Sequence, residues 1–211
     1  MHIVSVNVGK QETIQINGKA LTTGIFKQPV QGKVSINAKG LVDDTVADTT
    51  RHGGVDQAVY LYSAEDYAWW TAELRKEMPI GILGENLTLS SFGATPLRVG
   101  DRLKINTILL EISFPRIPCA TLGARMSDAA FVKRFIQAQR PGVYARVLKE
   151  GELQIGDLVN ILPTANNFPT VIELYDLWHA RKRDLKLLYR GLEAPIAERA
   201  RAAFQFWLEH S

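Results

Sequence analysis

The stretch DRLKINTILLEISFPRIPCATLGARM, residues 101–126, changes character halfway along. Residues 101–114 are rich in Ile and Leu, begin at a Gly-Asp step and stop at Pro115, the pattern of a strand. Residues 115–126 set two prolines and two arginines around Cys119, the only cysteine in the chain. Prolines remove backbone donors and stiffen a loop, so Cys119 sits at a fixed place on a rigid turn. Such a thiol is either a reactive ligand or a small buried apolar residue.

Working outward, the chain up to about Pro163 reads mainly as short strands: HIVSVNV, ETIQI, KALTTGIF, GKVSINAKGL, QAVYLY, NLTLS, DRLKINTILLEISF, YARVLKE and DLVNIL. ETIQI and KALTT flank Asn17-Gly18, the favoured dipeptide of a type I′ turn, and should pair as a hairpin. Many short strands with few helices between them suggest a barrel or sandwich. Two helices interrupt them. SAEDYAWWTAELRKEM has Ser63 as N-cap and Tyr67, Trp70, Leu74 and Met78 on one face, a core stripe. SDAAFVKRFIQAQ starts at Ser127, stops before Pro141-Gly142 and turns Phe131 and Phe135 inward. The related steps VGDRL and IGDLV look like hairpin punctuation and lack the further glycines of a phosphate loop.

After LPTANNFPT the strand pattern ends. The remaining residues read as three short helices, broken at His179-Ala180 and at Gly191 to Pro195, the last carrying Ile196, Ala200, Ala203, Phe204 and Trp207 at helical spacing. The expected organisation is therefore mostly β with α: a barrel-type domain over 1–165 and a small three-helix appendage over 166–211.

Composition narrows the function classes. Apolar residues at 46% and charged residues at 22% over 211 residues describe a globular protein able to bury its own core. One cysteine excludes an internal disulfide and a Cys-rich zinc site. The start MHIVSVNVG lacks a signal-peptide layout and no apolar run approaches a membrane span, so the expected location is a reducing cytoplasm, with no membrane partner. A net charge of +3 favours small anions without demanding nucleic acid. The basic run Arg181-Lys182-Arg183, with Lys186 and Arg190, has no interleaved aromatic platform; a solvated helix face suits it better than nucleic acid, and an acidic protein partner would suit it as well as nucleic acid would.

No G-x-S-x-G is present, and no local signature pairs Cys119 with His52 as a protease dyad. RHGGVDQAVY, residues 51–60, is more informative. Adjacent Gly53 and Gly54 let the backbone approach a ligand while Arg51 and His52 present donors beside them, a setting that suits a phosphate as well as an ordinary turn before a strand. In GENLTL, Asn86 can donate to and accept from a heterocycle or, if buried, satisfy backbone groups. Arg116 and Arg125 bring positive charge to Cys119, and cations near a thiol stabilise the thiolate that ligates metals.

Taken in order, D-T-T-R-H-G-G-V-D-Q-A-V-Y-L-Y, G-E-N-L-T, V-G-D, F-P-R-I-P-C and R-P-G-V-Y-A-R-V-L resemble the MOSC family, named for the C-terminal domain of molybdenum cofactor sulfurase. The match runs from about Val30 to Leu162. The tail from Pro169 to Ser211 is similar to the three-helix extension of the stand-alone bacterial branch. The resemblance implies a barrel-like MOSC domain that binds the molybdenum cofactor, with Cys119 as the protein ligand to molybdenum. It also implies reduction of N-hydroxylated compounds, hydroxylaminopurine-type bases included, as a detoxifying activity. His52, Gly53 and Gly54 fall on its HGG motif and Asn86 on its GENL motif, both lining the cofactor cleft. Arg51, Arg116 and Arg140 are the candidates for the pterin phosphate and dithiolene side.

The expected activity is thus an oxidoreductase with Cys119 and His52 as its catalytic residues, Cys119 as the ligand to molybdenum and His52 giving or relaying a proton. No flavin, haem or iron–sulfur motif is visible, so a separate reductase should supply electrons, the basic tail helices being a candidate docking surface. A homodimer is compatible with this reading. The full sulfurase carries a pyridoxal-phosphate desulfurase domain for which this chain has no room, so no pyridoxal phosphate is expected. The alternative is a carrier in which Cys119 takes sulfur as a persulfide, or the cleft holds the cofactor, without turnover of a small molecule.

Overall fold

The computed structural model describes residues 1–16, 18–47 and 53–210. In chain order the elements are β1 (Ile3–Gly9), β2 (Glu12–Ile16), β3 (Lys19–Thr23), β4 (Lys27–Pro29), β5 (Val34–Asn37), β6 (Gly40–Leu41), β7 (Val59–Ser63), α1 (Ala64–Leu74), β8 (Leu87–Leu89), β9 (Arg102–Ile105), β10 (Ile108–Pro115), α2 (Ala120–Arg125), α3 (Phe131–Ala138), β11 (Val143–Lys149), β12 (Gly151–Leu153), β13 (Val159–Leu162), α4 (Val171–His179), α5 (Leu185–Glu193) and α6 (Glu198–Glu209).

The main sheet has eight strands in the order β13-β9-β10-β11-β7-β8-β1-β4. Its pairs are antiparallel except β7–β8, which run parallel because α1 carries the chain across between them. A three-stranded sheet, β12-β5-β6, and the hairpin β2-β3 complete the β structure. The hairpin has the expected register, Ile16 opposite Lys19, although Asn17 itself lies outside the described residues.

The architecture corrects the expectation of a barrel. It is a mixed α/β fold, and among the described residues no sheet closes on itself. The first residues of the chain reach the turn before β13 through an isolated bridge, His2 to Leu158, with the backbone bonds Ile3 N to Asp157 O, Gly156 N to Ile3 O and Val159 N to Met1 O. No ladder extends from there, because Asp157 turns its carboxylate to Gln154 N and to Asn106 Nδ2, and Leu158 is 70% exposed. At the other end β4 finishes at Pro29, which has no N–H to offer another strand.

Local chemistry also divides stretches that read as single strands. DRLKINTILLEISF is a hairpin, β9 and β10, because Asn106 takes a left-handed φ of 51° and reverses the chain. SAEDYAWWTAELRKEM forms α1 with Ser63 Oγ accepting from Asp66 N, as its N-cap position requires, but the helix ends at Arg75, also left-handed, so Met78 is buried from outside it. The second helix begins at Phe131 rather than Ser127, after a separate short helix that follows Cys119.

The apolar face of the sheet forms one core around Ile3, Leu61, Leu103, Leu110 and Ile112. A second, aromatic core lies under α1 and α3, where Trp70 stacks on Phe135 with centroids 5.9 Å apart and its indole N–H donates to Tyr62 Oη. A third joins the C-terminal helices to the sheet through Val99 and Phe114, which contacts Phe204. These helices break where the sequence indicates. Among the described residues no helix is long and apolar enough to cross a membrane.

Candidate functional site

β10 ends at Pro115 and the chain turns through Arg116, Ile117 and Pro118 into Cys119, which occupies the N-cap position of α2 in an extended conformation. The prolines thus do what the sequence suggests: they hold the thiol where β10 delivers it. Cys119 is half-buried and lines an open cleft with about 740 Å³ of empty space. The other polar walls come from Lys27 on β4, Asp44 after β6, Asn86 before β8, Arg116, and Tyr144 on β11.

Arg116 is the unusual member. It is only 5% exposed, its guanidinium carbon lies 5.1 Å from the Tyr60 ring centre and 5.7 Å from that of Phe135, and its Nη1 has no hydrogen-bond partner among the described residues. Burial works against its charge, but the hydroxyls of Tyr60 and Tyr144 and the Cys119 thiol outweigh that effect and leave its pKa above the ordinary value. Burial in turn pushes the Tyr144 hydroxyl up, with Arg116 pulling it back. The cleft therefore holds a permanent buried cation beside a thiol, with donor capacity left over for an anion.

The floor is a buried ion pair. Lys27 Nζ lies 2.5 and 2.6 Å from the two Asp44 carboxylate oxygens, which also accept from Gly9 N at 2.7 Å and Asn86 Nδ2 at 2.8 Å. Burial lowers the Lys27 pKa more than Asp44 raises it. Asn86 is used at both ends, since its Oδ1 accepts from Tyr60 N at 3.0 Å. Of the two roles open to it, it performs the protein-facing one and still lines the cleft. Its neighbour Glu85 is fully buried, accepting from Tyr67 Oη, Gly81 N and Thr88 Oγ1; burial raises its pKa against these donors.

Of the site residues singled out in the sequence, Gly53, Asn86, Arg116 and Cys119 meet around this cleft. Gly53 and Gly54 both have φ of 75°, the left-handed region that explains two adjacent glycines. Gly54 does not line the cleft. Arg140 lies elsewhere, ion-paired with Asp66 and stacked over Trp69 at 4.6 Å, beside a different hollow. Arg51 and His52 lie outside the described residues. Arg125 packs over Phe26 at 4.6 Å. In the basic tail, Arg183 lies 3.8 Å over Trp207 and Arg190 pairs with Glu173 at 3.2 Å.

Sequence reasoning missed Lys27, Asp44, Gln57, Tyr60 and Tyr144. The signal for the tyrosines was present, because both sit inside the motifs QAVYLY and RPGVYARVL. Lys27 and Asp44 offered none, being 17 residues apart and joined only by the fold. Among the described residues no three His, Cys, Asp or Glu side chains gather to hold a metal ion.

An open mixed sheet thus presents one thiol beside a buried arginine in a cleft of mixed polar and apolar lining. The chain belongs to the MOSC family: the MOSC domain matches residues 48–160, a span that holds Asn86, Arg116, Cys119 and Tyr144. It is 30% identical to the uncharacterized protein YflK of Bacillus subtilis over 96% of this chain and 92% of that one. It is 31% identical to a Gibberella moniliformis protein named Reductase, over 93% of this chain and only 35% of that longer relative. The crystal structure of YiiM from Geobacillus stearothermophilus superposes with a TM-score of 0.79 at 25% identity, covering 97% of both chains.

Proposed function

We propose that this chain is a molybdenum-cofactor-dependent oxidoreductase that reduces N-hydroxylated compounds, hydroxylaminopurine-like bases among them, to amines. The observation that carries this reading is Cys119 beside Arg116, a buried cation with one guanidinium nitrogen unsatisfied among the described residues. The residues present fit the group. A dithiolene brings its own soft donors, so one thiolate suffices from the protein and no cluster of His, Cys, Asp and Glu is required. A buried Arg116 with spare donors suits an anionic dithiolene or phosphate.

When bound, the cofactor supplies a metal centre that exchanges electrons in pairs and accepts oxygen. The chain's own residues would hold and orient. Cys119 would ligate the metal through its sulfur, Arg116 would neutralise negative charge at the cleft wall, and the Lys27–Asp44–Asn86 floor would keep the cleft open without reorganising. His52, on the HGG motif, is our choice for giving a proton to the departing oxygen. The net change is R–NHOH plus two electrons and two protons to R–NH2 and water, with electrons from a separate reductase protein. The relative named Reductase supports this reaction class. Cytoplasmic action, and a division into a cofactor-binding unit over 1–165 and a helical unit over 166–211, belong to the same proposal.

A carrier role also needs Cys119. Reduction is favoured because a second hollow opens at the same thiol, and a carrier needs no chamber for a small molecule. The test is metal and pterin analysis of protein made in a host competent for cofactor synthesis, beside Cys119→Ala, followed by assay of the wild type with an artificial donor and a hydroxylamino base. We expect molybdenum in the wild type, none in the variant, and amine formation. Equal molybdenum in both proteins would end the ligand assignment, and a loaded protein inactive across a panel of N-hydroxy compounds would favour the carrier.

A further inference from the structure

One side of the C-terminal helices packs on the sheet through Val99 and Phe114; another stays open. Between the start of α5 and the end of α6 lies a hollow with about 1080 Å³ of empty space, whose walls include Arg181, Lys182, Arg183, Leu185, Phe206 and Trp207. Phe206 is 56% and Leu185 45% exposed, and Tyr189, one turn beyond Leu185 on α5, is 60% exposed. His210 stacks on the Phe206 ring at 4.1 Å, and its Nδ1 lies 2.8 Å from Phe206 O, so the exposed ring is held in place.

The charge on this face is of one sign. Residues 179–186 set Arg181, Lys182, Arg183 and Lys186 against a single acid, Asp184, whose carboxylate accepts from the Lys186 and Leu187 backbone N–H groups. Glu209 is the acid that the end of α6 adds. Arg181, Lys182 and Lys186 are exposed and have no ion-pair partner among the described residues. Arg183 lies 3.8 Å over the Trp207 ring, and its Nε has no hydrogen-bond partner among the described residues. The aromatic side chains that the basic run lacks in sequence thus come to it from α6. Arginine together with aromatic rings is the composition in which the centres of protein–protein contacts are enriched.

Two ring contacts lead inward from this face. Trp207 meets Trp178 at 5.1 Å and Trp178 meets Phe114 at 5.6 Å, and Trp178 and Phe114 line the hollow that Cys119 also lines. A protein seated on the face is thereby joined to the surroundings of the thiol by packed rings instead of water, and electrons tunnel more readily through packed atoms. A nucleic acid would gain nothing from that path. Electron-transfer encounters also need little area, under about 1,200 Å² in total, and are steered by opposite charge. We propose that this face docks an acidic electron-donating protein, which sets carboxylates on Arg181, Lys182 and Arg183 and an apolar side chain in the hollow against Phe206. The donor's role rests on the reductase reading. Each docking passes one electron from the reduced donor, and two such transfers with two protons convert R–NHOH to R–NH2 and water, leaving two oxidised donor molecules.

An acidic [2Fe–2S] ferredoxin is the probe, titrated by calorimetry into the full chain prepared without cofactor, so that binding is read apart from turnover. The wild type should bind it saturably, and raising salt from about 0.05 to about 0.3 M should weaken the complex about fivefold. Arg181→Glu combined with Lys182→Glu should weaken it about tenfold, and Phe206→Ala about fivefold. Lys39→Glu combined with Lys133→Glu makes the same change in net charge at exposed residues away from the hollow and should stay within about twofold of wild type. In the molybdenum-loaded chain, the Arg181 and Lys182 changes should slow turnover fed by reduced ferredoxin about tenfold and leave turnover fed by dithionite, which needs no docking, unchanged. No saturable binding, equal weakening by the control pair, or a single-stranded oligonucleotide bound more tightly than ferredoxin at about 0.15 M salt would overturn the proposal. Ferredoxin binding of this pattern in a chain that takes up no molybdenum would sink only the reductase reading. A loaded chain that turns over with dithionite yet binds no ferredoxin would sink only the docking face.

Discussion

Replacing Lys27 by Met removes the cation from the cleft floor and nothing else of comparable size. The side chains of Lys27 and Asp44 are 7% and 6% exposed, so the Asp44 carboxylate would be left in a poorly solvated site. Breaking a buried pair in this way costs about 3–5 kcal/mol. Gly9 N and Asn86 Nδ2 still donate to Asp44, which places the loss at the lower end, about 3 kcal/mol, or about 6–12 °C in Tm for a chain of this size. Urea unfolding and calorimetry measure it. The companion Asp44→Asn leaves Lys27 as the uncompensated partner, and its stability should behave differently with pH. Burial already lowers the Lys27 pKa below its ordinary 10.5. A lowered folded-state pKa means that the unfolded chain binds the proton more tightly, so stability is lost as pH falls below 10.5 and is regained on raising it. Asp44→Asn should therefore recover stability between pH 7 and 10, while Lys27→Met should not. The double variant should cost clearly less than the sum of the two single changes. A loss below about 1 kcal/mol for Lys27→Met, or additive single losses, would refute the view that these charges hold the floor together.

Three further outcomes are expected from the geometry. Arg116→Met, which removes a buried charge lacking a full set of partners, should leave the cofactor-free protein at least as stable as wild type while abolishing molybdenum loading; thermal melts and metal analysis read the two effects separately. Gly142→Ala should destabilise by about 1–2 kcal/mol for its left-handed φ and about 1–3 kcal/mol more for the collision of a Cβ 2.5 Å from Leu61 O. Gly156→Ala, at φ 90° with nothing within 4 Å, should show only the first part in the same melt. His179 is held below its ordinary 6.5 by burial, which Asp176 opposes, so its contribution is present above pH 6.5 and is lost as pH falls through 6.5 toward its folded value. His179→Phe, which keeps a ring against Tyr175, should flatten that part of a stability–pH curve.

The elements that depend on neighbours in the chain were legible from the sequence. Ser63 caps α1, and Phe131 and Phe135 turn inward on α3, all through interactions spanning a few residues. The breaks near His179 and Gly191 were equally local. Strand number was less legible, because Asn106 gives no warning in composition that it will adopt a left-handed turn and split one apolar run into two strands.

By itself the sequence determined that Cys119 stands on a stiff loop at the end of a strand, that Gly53 and Gly54 lie in a turn before a strand, and that the chain ends in helices. It did so because proline, glycine and apolar periodicity act over one to four residues. Only the tertiary structure decided that the sheet stays open, that Arg140 belongs to Asp66 and Trp69 while Arg116 belongs to the thiol, and that Lys27 meets Asp44 and Asn86 beneath them. Those outcomes depend on which buried groups find a counter-charge or a donor across long sequence separations. Burial makes each such choice costly to reverse, and burial is a property of the packed chain.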